Sequence, residues 1–158
     1  MNAVVTVRNE GGNMNQHELS SEARKEALDA LVIALGKAAV FFDDCHRLYY
    51  RPGSGWLGWG VWAKTLRDWA GQLARAYQDG NDEEVRSILK GIRQGVVEMH
   101  MGSLADNWIT DEHGRISIEE LNKPFTEEEK NANKRKDELL QEIRKHYSLL
   151  AECERRTA

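Results

Sequence analysis

A chain of 158 residues, 41% hydrophobic and 30% charged, falls in the size range of a single domain with a buried core. Only two prolines argue against a loop-rich sandwich, and a net charge of -4 neither demands a basic partner nor forbids an acidic one. The longest apolar stretch, residues 30–42, is interrupted by Gly36 and Lys37 and is too short to span a bilayer.

No signal-peptide pattern opens the chain, so a cytoplasmic location is expected. Residues 1–18 are polar apart from Val4, Val5 and Val7, and read as a flexible tail before a helical domain over 19–158. From Ser20, Leu28, Leu31, Leu35, Ala38, Phe42, Cys45 and Leu48 recur at three- and four-residue steps, which predicts one long amphipathic helix. It should end near Tyr50, because Pro52 and three glycines follow.

Four of the five tryptophans come next, Trp56, Trp59, Trp62 and Trp69. Trp59, Trp62, Leu66, Trp69 and Leu73 form a second helical stripe that Gly80 stops. Asn81 with Glu84 caps a third helix carrying Val85, Ile88, Ile92, Val96 and Met99 on one side and ending near Gly102. Residues 106–116 read as a tight turn or small hairpin around Asp111, Glu112, His113 and Gly114. Ser117 with Glu120 then caps a short helix that breaks at Pro124, with Ile116 placed to staple onto Leu121. Thr126 with Glu129 caps a last long helix to about Arg155, charged in its first half. Its second half repeats Leu140, Ile143, Tyr147 and Leu150 at heptad spacing, which suggests a homodimer seam. The predicted fold is an all-α bundle of four to five helices.

Several residue groups invite chemistry. Gly53, Gly55 and Gly58 have the spacing of a dinucleotide fingerprint, but a helix and Pro52 precede them and Trp56 would crowd a phosphate. They read as a turn, and no cofactor is expected. Asp111, Gly114, Ile116, Ser117 and Glu120 resemble part of a calcium-binding EF-hand loop. Ile109 and His113 stand where two of its main oxygen ligands belong, so the default is an acidic turn without metal. Asp43 and His46 sit one turn apart without the second carboxylate–histidine pair that a di-metal bundle needs. Cys45 and Cys153 fall on apolar faces and read as reduced, inert core thiols.

The stretch Arg93–His100 resembles the arginine–histidine spacing of the helical HEPN ribonucleases, with Gln94 where that family carries a small polar residue. That resemblance implies a dimer in which paired Arg93 and His100 act as phosphate-stabilising and acid–base groups. Aromatic residues interleaved with Arg47, Arg51, Lys64 and Arg67 also suit a single-stranded nucleic-acid platform, although the chain lacks a strong basic balance. These two readings form the alternative.

The preferred reading is a non-enzymatic interaction protein with no catalytic residue. Trp62 and Trp69 are assigned to the core; Tyr49, Tyr50, Arg51, Trp56 and Trp59 form an exposed patch with hot-spot composition that binds a larger protein. In general character this is similar to small phage or mobile-element inhibitors of host machinery, anti-CRISPR proteins included.

Overall fold

The computed structural model describes residues 16–49, 58–97, 112–113, 115–124 and 126–157. The protein is an all-α bundle. Helix α1 spans Gln16–Tyr49, α2 Gly58–Gln78, α3 Asp82–Ile92, α4 Ile118–Leu121 and α5 Glu127–Thr157. Helix α3 runs on into a π-helical turn, Arg93–Val97. Helix α1 starts four residues earlier than the leucine spacing indicates, so residues 16–18 belong to it and not to a tail. Residues 1–15 lie outside the described set.

The caps decide where the helices begin and end. At the α2–α3 junction Gly80 takes a φ of 68°, the left-handed conformation that glycine adopts without steric cost. Its N–H reaches the Tyr77 carbonyl, and the next N–H, from Asn81, reaches the Ala76 carbonyl at 2.9 Å. This pair of reversed bonds satisfies the last carbonyls of α2. Asn81 then starts α3 at once, its side chain accepting from the Glu84 N–H at 3.2 Å. Thr126 and Glu129 form the reciprocal capping box of α5, each side chain accepting from the other's backbone N–H. Ser117 accepts from the Glu120 N–H and starts α4, but Leu121 stays half-exposed and Ile118 is 71% exposed. Helix α4 is thus held by its cap rather than by a core.

Four helices enclose one core, in an up–down–up–down order. Helix α1 packs against α2 on one side and α5 on the other; α3 packs on α2, and its π-turn closes onto α5. The antiparallel α1–α5 pairing is fixed at one end by Arg24 with Glu154 and near the middle by Lys37 with Glu142. Leu31, Leu35 and Phe42 from α1 meet Leu66 and Leu73 from α2, Val85 and Ile92 from α3, and Leu139, Ile143 and Leu150 from α5, all fully buried. Burying each such side chain contributes about 1.5–3 kcal/mol, which is why this face specifies the fold.

The heptad stripe of α5 is part of that core. Leu140 is 3% exposed, Ile143 and Leu150 are 0%, and Tyr147 packs half-buried against the same cluster. The expectation of a dimer seam at Leu140, Ile143, Tyr147 and Leu150 is therefore corrected: α1 and the π-turn cover those side chains within one chain. The charged first half of α5 lies along the bundle, with Ala132 and Lys136 turned inward and the remaining charges in water. No described helix is long and apolar enough to cross a membrane.

Candidate functional site

The two ends of the bundle differ in chemistry. At one end the start of α1, the α2–α3 junction and the finish of α5 meet around Arg24. Its guanidinium bonds Glu154 of α5, donates to Asp82 of α3 at 3.0 Å, and lies 5.0 Å from the Tyr77 ring of α2. Burial works against the charge, but the bonds to Glu154 and Asp82 outweigh it and raise the Arg24 pKa. One side chain so joins all four long helices. The sequence offers a modest signal for it, since Arg24 lies one turn before Leu28 on the buried stripe.

The opposite end is closed by aromatic packing. Trp59, in the first turn of α2, lies against Phe42 with ring centroids 4.9 Å apart, and it is 2% exposed. That overturns its assignment to an exposed patch. The steps Trp59, Ala63, Leu66 and Leu73 keep it on the core face of α2, while the flanking glycines suggested a turn. Trp62 and Trp69 are half-buried against the core as packing residues, on the side of α2 that meets α3. There the glycines Gly91 and Gly95 leave room for them: a Cβ on Gly95 would stand 2.9 Å from Trp69 Cη2.

This aromatic end is where the long connections leave. Helix α1 finishes here and α2 begins here, with Gly60 against the His46 ring. The π-turn also finishes here, since Gly95 faces Trp62 near the start of α2. Antiparallel pairing with α1 puts the start of α5 here as well. Both stretches of more than seven residues between long helices, 50–57 and 98–126, therefore leave and rejoin the bundle at the same end. Tyr49 is the last residue of α1, its side chain outside the described set; Tyr50, Arg51 and Trp56 lie outside the described residues.

The other candidates separate. Arg93 opens the π-turn on the exposed side of α3, and His100 lies outside the described residues. Asp43 faces Arg67 at 3.7 Å and His46 packs on Gly60, so the two serve helix contacts between α1 and α2. Glu112 and His113 form the expected turn, while Ser117 and Glu120 act as a helix cap. Among the described residues no cluster of three or more His, Cys, Asp or Glu side chains is arranged to hold a metal ion. Cys45 and Cys153 are buried thiols, and burial, with Asp44 nearby, pushes the Cys45 pKa up to about 11. No family model, curated protein or solved structure matches the chain.

Proposed function

We propose that this protein is a non-enzymatic binding module that occupies a surface on a larger protein through the aromatic end of its bundle, with Tyr49, Tyr50, Arg51 and Trp56 as the contact residues. The observation that carries the reading is the convergence of both long connections on that end. A four-helix scaffold fixes their anchor points, and the residues they bring are of the kinds that dominate binding hot spots. Trp59 is left out because it serves the core beneath.

Affinity capture from the native host tests this. Wild type and the Arg93→Ala/His100→Ala variant should retain the same protein, and Arg51→Ala/Trp56→Ala should lose it with its helical circular dichroism intact. Loss of capture on Arg93→Ala/His100→Ala in a folded protein, together with RNA cleavage by wild type, would move the assignment to the ribonuclease class.

A further inference from the structure

An arginine drawn away from water ordinarily keeps a carboxylate. Arg24 follows that rule with Glu154 and Asp82. Arg144 of α5 does not. It is half-buried, and its Nε donates to the Val96 carbonyl at 3.3 Å, a neutral acceptor near the finish of the π-turn. Among the described residues no carboxylate pairs with it. The bond holds the guanidinium in place by one edge and leaves its Nη donors for another partner.

Beside it, α3 presents a row of the same sign. From Asp82, which Arg24 ties to Glu154 on the α5 side, steps of four, four and three residues lead to Arg86, Lys90 and Arg93 along one line of the helix. All three are exposed, and the line runs away from Gly91, the side of α3 that meets Trp69 of α2. From Arg86 to Arg93 it spans about 10 Å. Among the described residues neither Arg86 nor Lys90 has an ion-pair partner. Residues 85–97 contain no acidic side chain, and neither do residues 143–151, where Lys145 adjoins Arg144. The nearest carboxylates stand outside both stretches. Glu142 pairs with Lys37 of α1, Glu152 bounds the α5 stretch, and Asp82, Glu83 and Glu84 gather at the Arg24 end. A chain of net charge -4 so carries a positive field on one flank.

A regular row of cations beside a fixed guanidinium suits a polymer with one anionic group per unit. Tyr147, three residues after Arg144, adds a half-buried ring, and cations with an aromatic neighbour are what sequence-tolerant single-strand sites are built from. We infer that Arg86, Lys90 and Arg93 of α3, with Arg144 of α5, bind the phosphodiester backbone of single-stranded nucleic acid. Arg144 takes one phosphate through its Nη donors, and the α3 row tracks those that follow. The contact is with the backbone, so it reads no base sequence. With about four phosphates neutralised, log K falls against log salt with a slope of roughly -3. No covalent bond changes, and Tyr49, Tyr50, Arg51 and Trp56 take no part. This activity therefore stands independently of the protein contact proposed above.

Fluorescence anisotropy of a labelled oligothymidylate about 15 nucleotides long tests the site, with protein up to about 200 µM and salt stepped from about 50 to about 200 mM. Wild type should bind with the slope given above. Arg86→Glu/Lys90→Glu, both on the exposed surface, should abolish binding with helical circular dichroism unchanged. Arg144→Ala should weaken binding about tenfold and flatten the slope by roughly 0.7. Lys25→Glu/Lys64→Glu makes the same change in net charge on α1 and α2 and should weaken binding less than about threefold. No binding by wild type at the lowest salt overturns the inference, as does an equal loss in the two double variants. Poly-glutamate that competes as well as unlabelled oligothymidylate at equal charge also overturns it, in favour of an acidic peptide.

Discussion

Replacing Gly95 with alanine places a methyl carbon 2.9 Å from Trp69 Cη2 and 3.6 Å from Trp62 Cζ3. Carbon atoms rest about 3.5–4.0 Å apart, so the Trp69 ring must retreat by roughly 0.6–1 Å. The same edge of the indole also lies over Gly91, where a Cβ would stand 3.4 Å from its Nε1, so the retreat lifts the ring off the α3 face. Overpacking of this kind costs about 1–3 kcal/mol, and the better helix propensity of alanine offsets about 0.5–1 kcal/mol of it. The expected net loss is roughly 0.5–2 kcal/mol, or a Tm lower by about 1–8 °C in a chain of this size. Gly36→Ala is the matched control, since the same methyl meets nothing. It should gain about 0.5–1 kcal/mol. Thermal and urea melts of dilute protein, followed by circular dichroism and tryptophan emission, measure both. If Gly95→Ala stabilises as much as Gly36→Ala, Trp69 is not seated on Gly91 and Gly95, and the α2–α3 packing described above is wrong.

Arg24→Ala should cost about 1–3 kcal/mol in a urea melt, because it removes the part-buried bond to Glu154 and the bond to Asp82 that tie α1 to α5 and α3. Lys64→Ala breaks an equally close but exposed pair with Asp68 and should stay within about 0.5 kcal/mol; similar losses for the two would refute the Arg24 hub. Burial, helped by Lys145 and Lys37 and opposed by Glu142, lowers the His146 pKa. The unfolded chain then takes up that proton first, so stability present above about pH 6.5 falls as the pH drops toward the lower folded value. The urea midpoint at pH 5 compared with pH 7.5 should show this loss, and His146→Gln should reduce it; an unchanged slope would remove His146 as its source. Finally, with Cys45 and Cys153 buried and Cys45 shifted to about 11, a thiol reagent at pH 7.5 should react slowly with native protein and fast in denaturant. Rapid labelling of Cys45 in the native state would contradict its placement.

The helices were legible in the sequence because their information is local. The three- and four-residue steps from Leu28 to Cys45, the Asn81 and Thr126 caps and the Gly80 stop all act within a turn or two of the chain. What escaped was always a question of what a face packs against. The stripe Leu140–Leu150 is apolar whether it meets a second copy or α1, and only the antiparallel packing of two helices over 30 residues long decides. Leu48 continues the α1 spacing yet is 69% exposed, because the step from Cys45 carries it off the buried arc. Trp59 was misplaced for the opposite reason: glycines nearby signal a turn, whereas its contact with Phe42 joins two helices far apart in the chain. Gly91 and Gly95, four residues apart, carried a readable sign of a bulky neighbour on that face of α3. Of the candidate site, the residue types were legible; that α1 ends and α2 begins at the end of the bundle where the π-turn also finishes was not, since that follows from the bundle order.

Amide hydrogen exchange of the protein alone and bound to its captured partner tests the binding end most directly. Protection should concentrate on residues 49–57 and the first turns of α2, leaving the Arg24–Asp82 end and the outer face around Ile33 and Val40 unchanged. Protection centred on Arg24 and Asp82, with residues 49–57 exchanging as before, would contradict the proposed mode of action.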